Sequence, residues 1–240
     1  MIKKTILIFT LFLTTLTAQT NFSAYKTTVS KVNKSTVTIT DSDNFSIGSS
    51  GVIIHSFDST HKTIIATVEV IEKKSGYAYL KYENFKGLKQ SALPAYSITP
   101  QKGDEVILNF LYDRAMAIVP NKDTLRYITQ KYSDIEWIHP DIFASKLAIN
   151  YTPVPEKEDF KQECRQDNFT LLFFAIKGKG YFVDCNSFKV LQQINLPQTK
   201  EKIKVPFYSR IKEIKGRMFG LMGGDGINDY NRYYKKMLGL

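Results

Sequence analysis

The stretch CRQDNFTLLFFAIKGKGYFVDC, residues 164–185, decides the reading of this chain. Residues 169–176 and 181–184 are runs rich in aromatic and β-branched side chains, and Lys177-Gly178-Lys179-Gly180 joins them with glycines that accept positive φ. That pattern predicts a β-hairpin. A hairpin returns its two ends to one place, so Cys164 just before it and Cys185 just after it come within reach of each other. They are the only two cysteines, and an even count in an exported chain reads as one structural disulfide. The alternative, a redox-active pair, lacks the Cys-x-x-Cys spacing. Closing a loop of this length contributes ~3 kcal/mol in the chain-entropy model.

Around the hairpin the hydrophobic period is 3.6. Leu125, Ile128 and Tyr132 share a helical face after a cap at Asn121 or Asp123. Pro140 stands where a first helical turn tolerates it, ahead of Ile142, Phe143 and Leu147. The short apolar run 135–138 reads as a strand. Residues 156–166 read as a helix with Phe160 and Cys164 one turn apart and carboxylates at its positive end. Residues 188–194 follow as a strand. In 228–238, Tyr230, Tyr233, Tyr234, Met237 and Leu238 form a helical stripe with Lys235 and Lys236 at the negative end. Alternating helices and strands predict an α/β unit of two or three layers over residues 120–240.

Upstream the period is two. Residues 25–32, 36–40, 51–57, 63–71, 77–82 and 105–111 are strand-length runs rich in Thr, Val, Ile, Tyr and Phe. Turn chemistry at 33–34, 41–44, 48–51, 75–76 and 102–104 separates them. Thr36, Thr38 and Thr40 alternate with Val37 and Ile39, which predicts one wet and one buried face. The fold class is therefore α+β: a small antiparallel β-barrel or sandwich over residues 19–119, then an α/β unit carrying the disulfide-closed hairpin.

Lys3 and Lys4 precede an apolar run over residues 5–16 and then Thr17 and Ala18, the pattern of a secretory signal peptide over residues 1–18. The run of about twelve residues is shorter than the roughly 20 that a membrane-spanning helix needs. Removing it leaves 222 residues and takes the net charge from +10 to +8. The charge is uneven: residues 200–240 carry ten Lys and Arg against four Asp and Glu. Lys200, Lys202 and Lys204 are expected on one side of an extended strand, with Arg210, Lys212, Lys215 and Arg217 following. Such a stripe faces an acidic protein partner, or protects a strand edge from aggregation. Export disfavours nucleic acid.

Motifs that carry chemistry are incomplete throughout. His55 and His61 flank a turn with Asp58 between them, which reads as two loop histidines rather than a metal site. His139 before Pro140 reads as a capping residue. Gly48-Ser49-Ser50-Gly51 lacks the spacing of a nucleophile elbow, and neither 178–180 nor 223–226 completes a phosphate-binding fingerprint. No catalytic, cofactor or metal residue is expected, and the chain does not read as an enzyme.

Several motifs in order then carry a resemblance: Lys89-Gln90-Ser91-Ala92-Leu93-Pro94, Lys102-Gly103-Asp104, Ile118-Val119-Pro120-Asn121, Asp134-Ile135 with Asp141, the cysteine pair followed by Ser187-Phe188, Pro206-Phe207-Tyr208-Ser209-Arg210, and Asn228 with Tyr233-Tyr234. This set resembles the N-terminal domain of the bacterial plasminogen-binding protein family of the PgbA type. The resemblance implies a non-catalytic exported protein whose lysines engage kringle domains. In the family a Lys- and Glu-rich tail follows this domain; in this sequence Lys235 and Lys236 are the lysines nearest Leu240, and they are expected on a helix. The candidate partner-binding residues are Lys200, Lys202, Lys204, Arg210, Lys235 and Lys236. An alternative likeness lies in Gly48 to Gly51 leading into Val52-Ile53-Ile54, with Gly103-Asp104 and Val106 later. It is similar to the small barrels of flagellar-motor accessory proteins and implies a periplasmic scaffold.

Overall fold

The computed structural model describes residues 22–85, 98–216 and 226–240. The expected signal peptide, the motif Lys89 to Pro94, Arg217 and Gly223-Gly224-Asp225 lie outside these residues. The described chain is mostly sheet, with four helices.

The first sheet is entirely antiparallel and takes its strands from β1 (Tyr25–Thr28), β2 (Lys31–Val32), β3 (Thr36–Thr40), β4 (Ser50–Ser56), β5 (Lys62–Lys74), β6 (Tyr77–Asn84) and β7 (Glu105–Leu108). Their order is β1-β7-β4-β5-β6-β3-β2. The two outermost strands are halves of one segment. Thr28 pairs with Glu105 of β7, whereas two residues later Ser30 donates to Thr38 O and Lys31 pairs with Thr38 of β3. The sheet is therefore curled, and register shifts at Ile53/Ile54 and Val70/Glu72 add local twist. Gly51 permits the tightest approach, because a Cβ there would sit 2.2 Å from Ile107 O of β7. Val37, Ile39, Ile53, Val68, Val70, Leu80 and Val106 fill the inside of the curl. Thr38, expected on the wet face, is buried because Ser30 covers it, donating to its carbonyl from both amide and hydroxyl.

The second sheet is mixed, in the order β12-β11-β10-β8-β9, with β8 (Arg114–Ile118), β9 (Glu136–Ile138), β10 (Leu171–Ile176), β11 (Lys179–Asp184) and β12 (Val190–Asn195). β8 runs parallel to both β9 and β10. It precedes residue 119, where the sequence divided the chain, yet it is central here. β10 and β11 form the expected hairpin, with a two-residue turn in place of four: Ile176 pairs with Lys179, and Lys177 and Gly178 both take positive φ.

Helices pack on both faces of this sheet. Side chains alternate along β8, so Met116 and Ile118 point to one face and Ala115 and Ala117 to the other. The first face meets Phe143 and Leu147 of α2 (Pro140–Ile149), Phe160 of α3 (Lys157–Gln166) and Tyr230 and Tyr234 of α4 (Tyr230–Leu238). The second meets Ile128 of α1 (Lys122–Lys131), together with Tyr112, Phe173 and Phe182. The caps explain the helix starts. Asn121 accepts from Thr124 N, His139 accepts from Asp141 N beside Pro140, and Glu156 and Asp159 form a reciprocal capping box. The disulfide between Cys164 of α3 and Cys185 after β11 ties the helix to the hairpin.

Candidate functional site: the basic C-terminal surface

The strand expected under Lys200, Lys202 and Lys204 does not form. Residues 196–216 are irregular and strap across the end of β8, where Lys204 N donates to Pro120 O and Tyr208 N to Val119 O. Thr199 accepts from the Asn121 side chain, and Glu201 accepts from Asp123 N at the start of α1. Phe207 anchors the strap by stacking on Phe143 at 5.6 Å, while Tyr234 OH donates to Pro206 O. With amides spent on carbonyls of a loop and a helix start, no strand ladder is left to align the lysines on one side.

The six candidate cations divide into two kinds. Lys204 and Arg210 are tied down: the Lys204 ammonium donates to Ser209 O and Ile211 O, both at 2.5 Å, and Arg210 donates to Asp141 from its amide at 2.7 Å and from Nε at 2.5 Å. Burial works against the Asp141 charge, but the two Arg210 bonds prevail and hold its carboxyl below the usual range. Lys200, Lys202, Lys235 and Lys236 are exposed and have no ion-pair partner among the described residues. Lys235 and Lys236 occupy the outer face of α4, opposite the buried Tyr230, Tyr234 and Met237.

The histidines turn to carboxylates individually. His55 Nδ1 meets Asp104 at 2.7 Å, and exposed His61 meets Asp58 at 2.8 Å. Among the described residues, no group of three or more His, Cys, Asp or Glu side chains is placed to hold a metal.

Two polar clusters escaped the sequence reading. Asp184, at the end of β11, is fully buried and accepts from Ser50 N at 3.2 Å, Ser50 Oγ at 2.5 Å, Tyr112 OH at 2.7 Å and Ser187 N at 2.6 Å. Ser50 opens β4, so this carboxyl stitches the two sheets together. Ser187 Oγ adds a bond to Gly48 O. Ser49 and Ser50, read as turn serines, are buried here. Burial pushes both the Asp184 carboxyl and the Tyr112 phenol up. The second cluster joins α2 to α3, where Lys146 bridges Glu163 at 3.0 Å and Asp167 at 3.1 Å. An aspartate closing the apolar run Tyr-Phe-Val and a glutamate beside Cys164 were the signals available for both.

Comparison with known proteins places the chain. The family model described as plasminogen-binding protein pgbA N-terminal matches residues 24–238. Two proteins named plasminogen-binding protein PgbA, from Helicobacter pylori strains J99 and 26695, are each 24% identical over 194 residues, covering 80% of this chain. The chain spans 42% of the length of each of these relatives. No solved structure matches. The disulfide fits an exported protein. No helix among the described residues is long and apolar enough to cross a membrane. With nearly all its described residues inside the match, the chain belongs to the PgbA N-terminal family.

Proposed function

We propose that this chain is an exported, non-catalytic binding module that presents exposed lysines to plasminogen. The observation that carries the reading is the set Lys200, Lys202, Lys235 and Lys236, all exposed and without an acidic partner among the described residues, in the most basic part of the sequence. An ammonium at the end of a free four-carbon stem is the group that an anionic, aromatic-walled lysine pocket takes up. The surplus positive charge steers the encounter with an acidic partner. The relatives' name supports plasminogen as that partner.

In this reading residues 1–18 are a signal peptide, and the mature chain passes through the periplasm to the cell surface. Its curled N-terminal sheet and its helix-covered second sheet are two units that meet between β7 and β8 and are locked by Asp184. The flagellar-motor alternative has no support in either relative's description.

The test is surface plasmon resonance of residues 19–240 over immobilised plasminogen. Replacing Lys200, Lys202, Lys235 and Lys236 together with glutamine is expected to weaken binding at least about tenfold, or roughly 1.4 kcal/mol. Undiminished binding by that variant contradicts the assignment.

A further inference from the structure

Between α2 and α3 lies an open cleft of about 250 Å³ with an electrostatic imbalance. Glu163, only 2% exposed, lines it. Glu163 Oε2 takes the Lys146 ammonium, but buried Oε1 has no hydrogen-bond donor among the described residues. Lys146 is shared with Asp167, and Asp159, one turn before Glu163, also lines the cleft. Three carboxylates thus face one cation in a chain that is otherwise strongly basic.

The rest of the lining is complementary to an amphipathic guest. The side chains of Asn150, Gln162 and Gln166 have no hydrogen-bond partner among the described residues. Phe143, Leu147 and Ile149 form an apolar wall. Ile149 is 75% exposed and leaves this wall open to solvent. A missing donor beside surplus negative charge, with an apolar wall next to it, matches a cation carried on a short hydrocarbon stem.

We infer that the α2/α3 cleft binds an alkylammonium or alkylguanidinium group, whose head donates to Glu163 Oε1 and the surrounding amides while its stem lies on Phe143, Leu147 and Ile149. The site is distinct from the exposed lysines assigned above and does not depend on that assignment. Such a cation comes from a basic side chain of a partner polypeptide or from a free amine.

The site also makes binding pH-dependent. Burial, aided by Asp167 and opposed by Lys146, pushes the Glu163 carboxyl up to about 7. The groups facing it are Lys146 from α2, Asp159 from α3 and Asp167 at the C-terminal cap of α3. Arg114 of β8 donates to the Asp167 carbonyl behind them. Below about pH 7 Glu163 therefore holds a proton, which it donates to Asp167, and an entering ammonium displaces it.

The experiment is a titration of the oxidised, ¹⁵N-labelled chain with n-butylammonium and n-propylguanidinium, with pentan-1-ol as the neutral control. Saturable shifts confined to α3 and the last turn of α2, in the millimolar range expected for so small a ligand, are the predicted result. Binding is expected to be at least about tenfold weaker at roughly pH 5.5 than at roughly pH 8.5. Glu163→Gln is expected to lose it, whereas Glu158→Gln, which removes an exposed carboxylate paired with Arg165, keeps it. Shifts scattered over the surface, equal response to the alcohol, or equal affinity at the two pH values overturn the inference; the pH comparison uses the wild-type chain, so it stands if Glu163→Gln does not fold. Acetyl-Gly-Lys-Gly-amide separates the sources: tighter binding than butylammonium identifies a polypeptide side chain, and weaker binding a free amine, the cation being the recognised group in both.

Discussion

Asp184→Ala is expected to be among the most damaging single substitutions in this chain. Asp184 takes four donors, two from Ser50 and one each from Tyr112 and Ser187, and they converge from both sheets on a carboxyl with no exposed surface. Alanine removes every acceptor at once. The Ser50 hydroxyl can rotate, Ser187 lies nearer the surface, and the Ser50 amide keeps the Tyr112 phenol oxygen as an acceptor at 3.1 Å, which leaves the buried Tyr112 hydroxyl as the expensive orphan. At about 1–3 kcal/mol for the stranded phenol and about 0.5–1 kcal/mol for each of the three other hydrogen bonds lost, the loss is roughly 3–5 kcal/mol. For a chain of this size each kcal/mol moves Tm by about 2–4 °C, so the midpoint falls by roughly 10 °C. Asp184→Asn keeps the shape and one acceptor oxygen, and is expected to lose less than half as much. The assay is thermal melting of oxidised residues 19–240, followed by far-ultraviolet circular dichroism and by tyrosine fluorescence. In the wild type the probes are expected to coincide; in Asp184→Ala they separate, because the link between the sheets has gone. A midpoint within about 2 °C of wild type refutes the reasoning.

Other consequences concern the disulfide and the buried glutamate. Removing the Cys164–Cys185 bridge with the double Cys→Ala substitution opens a link across 21 residues and is expected to cost ~3 kcal/mol under oxidising conditions. Under reducing conditions wild type and variant then converge in urea midpoint, whereas two titratable thiols in the purified, unreduced protein contradict the bridge. For Glu163 the folded value, about 7, lies above the unfolded value near 4.5, so its contribution is fully present below about pH 4.5 and is lost as pH rises to about 7. The stability difference between wild type and Glu163→Gln is expected to move against wild type by on the order of 2–3 kcal/mol across that window. A pH-independent difference in urea melts sinks this assignment.

Local chemistry is legible in the amino-acid sequence. Gly178 marks its turn because that position takes positive φ, although the turn is shorter than the four residues expected, and Asn121, His139-Pro140 and Glu156 mark helix starts because their side chains serve amides two or three residues away. The cysteine pair follows from the hairpin for the same reason. Long-range pairings are hidden. Ser50 and Asp184 lie 134 positions apart, and each alone resembles an ordinary turn serine or strand-end aspartate. The split of residues 25–32 between two sheet edges leaves no trace in a period-two pattern, since both halves alternate alike. The basic segment misleads for a physical reason as well: alternating Lys200, Lys202 and Lys204 suggest a strand, but Lys204 is drawn inward by two carbonyls and the amide hydrogen bonds go to residues 119 and 120. Arg210 likewise serves α2 through Asp141. Of the candidate binding residues, only those without such partners keep a free ammonium.

The most direct measurement is plasminogen binding by wild-type residues 19–240 with and without a saturating lysine analogue such as 6-aminohexanoate. If exposed lysines seated in kringle pockets carry the interaction, the analogue abolishes it. Binding that survives saturation contradicts the lysine mechanism, and no binding in its absence contradicts the proposed function.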